Sequence, residues 1–202
     1  MAPVTNGYRM NDDFPSIVFL DRDGTVNVDL GYVTRPEQVR LIEGAATAIG
    51  DLKRAGLIVV VVSNQSAIGR GLATEEDVEA TNQELARQLA AGDKDAVLDM
   101  VLFAPDHPDS ATQNRKPGNG MLSQVRQRWE IQPDKCWMIG DKISDLGFGR
   151  SAGFAQDHCL LVKTGEGEKT WSRMSEGEQG IQLEFGSIVE AVRHIVMNLA
   201  PT

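Results

Sequence analysis

Ile17-Val18-Phe19-Leu20-Asp21-Arg22-Asp23-Gly24-Thr25 is the stretch on which the fold turns. Its four leading residues are apolar, and Ile, Val and Phe favour strands, so it reads as a short buried strand. Asp21 and Asp23 follow at its end, and Gly24 breaks it as a turn would. In an open parallel α/β sheet, ligands bind beyond the carboxyl ends of the strands. The sheet would therefore deliver two carboxylates to the place where chemistry happens. One can bind a hard cation and attack phosphorus as a covalent nucleophile. The other can move protons. Alone, an Asp-x-Asp pair fits a turn with Asx caps or a plain magnesium site equally well.

Outward from this stretch, strand and helix patterns alternate. Residues 16–21, 57–63, 99–104, 135–140 and 158–163 read as strands, with 57–63 unbroken and apolar, as in a strand covered on both faces. Residues 44–55, 74–91, 118–129, 144–152 and 187–199 read as helices. Thr74 is the expected N-cap of the second helix, with Asp77 in its first turn, and Pro117 marks the start of the third. Residues 165–180 are polar and Gly/Glu-rich and read as a mobile loop, and 181–185 as a last short strand. The alternation predicts an α/β fold: a three-layer α/β/α, Rossmann-like parallel sheet with right-handed crossovers and no separate cap domain. Residues 14–200 are expected to form a single domain after a disordered polar tail, 1–13, which lacks the pattern of a secretory signal.

The chain has 202 residues, 41% hydrophobic and 24% charged, ordinary values for a globular protein. No apolar run reaches the roughly 18 residues of a membrane span, so no membrane partner is expected. Net charge is −9 and no Lys/Arg cluster is visible, which argues against a nucleic-acid partner. Cys136 and Cys159 sit in apolar, strand-like surroundings and read as buried thiols in a reducing cytoplasm.

The remaining polar signals also fall at strand ends. Ser63-Asn64-Gln65-Ser66 offers a hydroxyl, an amide and backbone N–H groups for a phosphate, or is simply a turn into Gly69-Arg70-Gly71. Lys116, in Arg115-Lys116-Pro117, would neutralise phosphate charge, or is part of a solvated basic pair. Gly140-Asp141-Lys142 places Asp141 to complete a magnesium site with Asp21, since magnesium takes oxygen ligands and keeps several waters. Asp145 would hold Lys116 or a metal-bound water, or merely cap a helix. Each signal is weak, but their order and placement converge on one crevice.

The ordered set Asp21-x-Asp23-Gly24-Thr25, Ser63-Asn64, Lys116 and Gly140-Asp141-x-x-x-Asp145 resembles the haloacid dehalogenase superfamily of phosphatases. Within it, Gly31-Tyr32-Val33, Ser63-Asn64-Gln65-Ser66-x-Ile68-x-Arg70-Gly71, Arg115-Lys116-Pro117 and Gly140-Asp141-Lys142 are similar to the heptose bisphosphate phosphatase family, with histidinol-phosphate phosphatases as near relatives. The resemblance implies that Asp21 attacks phosphorus to form an aspartyl-phosphate. Asp23 would protonate the leaving oxygen and then deprotonate water. Magnesium would be held by Asp21, the Asp23 backbone carbonyl and Asp141, while Ser63, Asn64 and Lys116 hold the phosphoryl group. Arg70 and Arg115 would suit a second phosphate, and Gly31, Tyr32, Val33 and Lys142 would line the sugar pocket.

The implied partner is a small phosphorylated sugar, met by a monomer, in the making of nucleotide-activated heptose for a surface polysaccharide. Histidinol phosphate, or less readily a polynucleotide 3′-phosphate, is the alternative substrate, and a non-enzymatic phosphate-binding protein is a third reading. Many members carry a zinc loop with three cysteines and a histidine. Here the positions expected to hold its ligands are Ala104, Asp106, Thr112 and Asn114, so no structural zinc is expected.

Overall fold

Ile17–Leu20 forms β1, buried along its whole length, at the centre of a six-stranded sheet. The computed structural model describes residues 14–180 and 182–199, so the expected tail 1–13 lies outside the described residues. The other strands are β2 (Ile58–Asn64), β3 (Met100–Ala104), β4 (Cys136–Gly140), β5 (Cys159–Val162) and β6 (Glu184–Phe185). Their order is β3-β2-β1-β4-β5-β6, and every pairing is parallel. β1 therefore has β2 on one side and β4 on the other, with Leu20 opposite both Val61 and Ile139. The winding reverses between β1 and β4. That is the switch point at which such sheets open a crevice.

Alternate residues face opposite layers, as a strand's period of two requires. A single turn, α2 (Ser66–Gly69), follows β2, and Val18, Leu20, Val59, Val61 and Ile139 pack under α1 (Ala45–Arg54), α3 (Glu75–Gly92) and α8 (Ile188–Asn198). Ile17, Phe19, Val60, Val62 and Met138 pack under α4 (Leu122–Val125), α5 (Ile143–Ser151) and Trp171 of α6 (Gly167–Arg173). Phe19 anchors this second layer against Phe148 and Phe154, with ring centroids 5.7 and 5.4 Å away. The fold is thus the expected three-layer α/β/α sandwich. Among the described residues, the connections after β1 and β3 contain short 3-10 turns and no folded unit over the crevice. No described helix is long and apolar enough to cross a membrane.

Two segments differ from expectation. The helix expected over 118–129 contracts to Leu122–Val125. Gly118 and Gly120 instead dock on the preceding loop, with Gly120 N donating to Gln113 O at 2.8 Å, and the Lys116–Pro117 peptide is cis. After Val125 the chain closes tight turns, such as Arg128 N to Val125 O at 3.0 Å. Met121, Leu122 and Val125 are nevertheless buried as their spacing demanded. The expected loop over 165–180 holds α6 and a short α7 (Glu176–Gln179). Trp171 and Met174 root this segment in the core. Ser175 and Glu178 cap α7 reciprocally.

Candidate active site

The crevice at the switch point has a volume of about 500 Å³. β1 places Asp21 at its floor and β4 places Asp141 beside it, fully buried. Gly24 makes this approach feasible. Its φ is +94°, and a Cβ there would collide with the Asp141 carboxylate.

Lys116 is the pivot. Its Nζ lies 2.6 Å from Asp21 Oδ1, 2.7 Å from Asp145 Oδ1 and 2.6 Å from Val62 O, and its side chain is 1% exposed. Burial alone would lower the Lys116 pKa. Asp145 and Asp21 outweigh that and hold it above the ordinary lysine value. Asp145 also accepts from Lys142 N at 2.9 Å, so it both pairs with Lys116 and caps α5.

Asp21, Asp141 and Asp145 bring carboxylate oxygens within 4.8 Å of one another. Burial raises Asp21 from 3.8 to about 6, against the pull of Lys116. Burial, then the charge of Asp21, raises Asp141 to about 8. The Lys142 ammonium lies 3.4 Å from both Asp141 oxygens, 3.4 Å from the Asp23 carbonyl and 3.1 Å from Asp29 Oδ2. These oxygens already draw a cation between them. An all-oxygen, carboxylate-rich set of this kind fits magnesium, with Asp21, the Asp23 carbonyl and Asp141 as the residues that would hold it.

Asp23 is restrained differently. Asn27 Nδ2 donates to its Oδ1 at 2.9 Å, while Arg22 Nη2 and Gln65 Nε2 each donate to Oδ2 at 2.9 Å. Burial would raise its pKa, but the Arg22 charge and these hydrogen bonds win and hold it below the usual carboxylate value. Arg22 itself is 1% exposed and also donates to Asn82 Oδ1, Val33 O and Gln65 Oε1.

The other anticipated residues divide. Ser63, Asn64, Arg115, Gly31 and Lys142 line the crevice with Asp21, Asp23 and Lys116. The Asn64 amide, expected on a phosphate, instead clasps the Lys116 backbone, donating to Lys116 O at 3.0 Å and accepting from Lys116 N at 2.9 Å. Val33 does not line the pocket with its side chain, which is buried in the core, and its carbonyl accepts from Arg22. Tyr32 is exposed and lies outside the lining. Arg70 is exposed and also outside it, though its charge reaches Arg115.

Sequence reasoning missed Arg22, Asn27, Gln65, Asp29, Glu166 and Lys169. The last two come from the segment misread as a loop, where Glu166 N donates to Asp141 Oδ2 at 2.7 Å and Thr170 Oγ1 to Asp141 O at 2.8 Å. In the stretch without thiolates, Thr112 Oγ1 donates to Asp106 Oδ2 at 3.2 Å and accepts from Asn114 N at 3.1 Å.

The HAD-hydrolase-like family profile matches residues 113–181. A relative from Haemophilus ducreyi is 34% identical over 184 residues, covering 88% of this chain and 97% of its own. One from Yersinia pestis is 38% identical over 78% of this chain and 85% of its own. One from Escherichia coli K12 is 37% identical over 74% and 80%. All three are named D-glycero-beta-D-manno-heptose-1,7-bisphosphate 7-phosphatase. The crystal structure of the D,D-heptose 1,7-bisphosphate phosphatase from B. bronchiseptica, complexed with magnesium and phosphate, superposes with a TM-score of 0.79 at 28% identity, covering 91% of this chain and 99% of that one. A putative HAD-like phosphatase from Mesorhizobium loti gives 0.76 at 29% identity, covering 97% and 92%. The chain belongs to the heptose-1,7-bisphosphate 7-phosphatase family of haloacid dehalogenase-like hydrolases.

Proposed function

We propose that this chain removes the 7-phosphate of D-glycero-D-manno-heptose 1,7-bisphosphate, with magnesium, through a phosphoenzyme on Asp21. The observation that carries this reading is the convergence of Asp21, Asp23, Ser63 and Lys116 on one crevice above buried Asp141. Asp21, ionised above about pH 6, bonds to phosphorus as the bond to the sugar oxygen breaks. Lys116 holds the attacking carboxylate still and offsets its charge. Asp23 gives its proton to the departing oxygen. It then takes one from the water that releases phosphate from Asp21. Its depressed pKa suits the second half, and the approaching phosphate dianion would raise it for the first. Magnesium, held by Asp21, the Asp23 carbonyl and Asp141, would supply charge neutralisation on the transferring group.

Arg115 and Lys169 supply crevice cations that make no ion pair with a carboxylate among the described residues, which suits the second, non-reacting phosphate of a bisphosphate. In this reading the protein is a cytoplasmic monomer, and hydrogen bonding through Thr112 replaces structural zinc. The test is phosphate release with magnesium across both heptose bisphosphate anomers, fructose 1,6-bisphosphate, histidinol phosphate and a 3′-phosphorylated oligonucleotide, alongside metal analysis. A dominant kcat/KM for one heptose anomer is expected, the relatives being named for β, with no stoichiometric zinc. Preference for histidinol phosphate or the oligonucleotide would refute the substrate, and one bound zinc per chain would refute the loop reading.

A further inference from the structure

Gln65 follows β2 directly, is 5% exposed, and joins the two chemical halves of the crevice. Its Oε1 accepts from Arg22 Nη2 at 3.0 Å. Its Nε2 donates to Asp23 Oδ2 at 2.9 Å and to Ser63 Oγ at 2.7 Å. A guanidinium has only donors and an ionised carboxylate only acceptors, so the neighbours dictate which way the amide faces. Both N–H groups are then committed, one to each oxygen. Ser63 Oγ is an acceptor toward Gln65, and its own proton has no partner among the described residues. Ser63 lines the crevice, so that proton is available there.

We infer that Gln65 is a positioning residue that sets the polarity of the Ser63 hydroxyl, turning it into a donor for an incoming phosphoryl oxygen and tying it to the acid–base carboxylate through one amide. Gln65 acts through Ser63 and Asp23 and touches neither phosphorus nor sugar. The inference rests on the phosphoryl-transfer reading above.

The experiment is a double-mutant cycle with inorganic phosphate as the probe, read as its inhibition constant with magnesium present. Gln65→Met keeps the side chain's length and stays neutral while losing both donors. Gln65→Leu is the second variant should the first fail to fold, and thermal unfolding is recorded for each. Losing one hydrogen bond to the anion, Gln65→Met should weaken phosphate inhibition about five- to tenfold, as should Ser63→Ala. In the Ser63→Ala background, Gln65→Met should cost less than about twofold more, because the hydroxyl it orients is gone. A full further loss in that background, or unchanged inhibition in Gln65→Met alone, would overturn the inference while leaving an active phosphatase. A native protein that neither binds nor releases phosphate would overturn the reading of the site and the inference together.

Discussion

Replacing Lys116 with methionine tests the electrostatics of the site without assuming any substrate. The methionine keeps an apolar stem in a position that is 1% exposed, so little packing is lost. What disappears is the ammonium shared by Asp21 and Asp145 at 2.6 and 2.7 Å, and the donor to Val62 O. Stranding buried carboxylates this way costs about 3–5 kcal/mol, a large share of the ~5–15 kcal/mol that holds a typical domain together. At ~2–4 °C per kcal/mol for a chain of this size, Tm should fall by roughly 6–20 °C. The deficit should also depend on pH. Without Lys116, the principal pull lowering the Asp21 pKa is gone, so its folded value rises further above 3.8. A raised folded pKa leaves stability intact below the unfolded value and removes it as pH climbs toward the folded one. The Tm gap between native and variant, measured by calorimetry in EDTA, should therefore be small near pH 4 and widest at pH 8. Asp145→Asn in the same background should recover part of it. A gap of the same size at every pH would show that packing, not charge, had been lost, and an unchanged Tm would refute the pivot assigned to Lys116.

The native protein in EDTA should itself lose stability as pH rises from about 4 to about 8, because burial lifts Asp21 to about 6 and Asp141 to about 8. Magnesium should restore more Tm at pH 8 than at pH 5, and a shift of equal size at both would contradict this. Asp21→Asn should abolish phosphate release, since an amide is a poor nucleophile, yet raise Tm in EDTA at pH 8 by removing one of three crowded carboxylates. Turnover by the pure variant would exclude Asp21 as the nucleophile.

The strand ends were legible because each couples an apolar run to an abrupt polar terminator. Asp21, Ser63 and Asp141 stand where β1, β2 and β4 stop, and a parallel sheet brings such ends together. Arg22 was not legible. Nothing in the local pattern says that the middle residue of Asp-x-Asp is buried to 1%, since its partners Asn82, Val33 and Gln65 are remote in sequence. α6 escaped because it has few apolar residues. Its tethers, such as Thr170 to Asp141 O and the packing of Trp171 on the core, join groups remote in sequence. Ser175-x-x-Glu178 was the one available sign of α7. The opposite error arose at 118–129. There the helical spacing of Met121, Leu122 and Val125 was real as burial but did not extend to a helix, because Gly118 and Gly120 serve the loop that carries Lys116.

The charges in the crevice explain how a chain of net charge −9 can attract a phosphate at all. Asp23 and Arg22 form a neutral pair. Of the remaining inner groups, Asp21, Asp29, Asp141 and Asp145 carry four negative charges against the two ammoniums of Lys116 and Lys142, leaving two negative charges when all are ionised. The neighbouring charges lift the Asp141 pKa further than burial alone would, whereas Lys116 draws the Asp21 pKa part of the way back down. The surplus makes the oxygens a site for a dication. Binding one would cancel that surplus. Arg115 and Lys169 at the crevice wall, against Glu166, then leave a balance of one positive charge. Exposed acids more than a Debye length away, about 8 Å at physiological salt, are largely screened from this pocket. The net charge of the molecule is therefore a poor guide to its ligand, and cation binding should precede tight phosphate binding. Phosphate inhibition should weaken sharply as magnesium is withdrawn from the native protein.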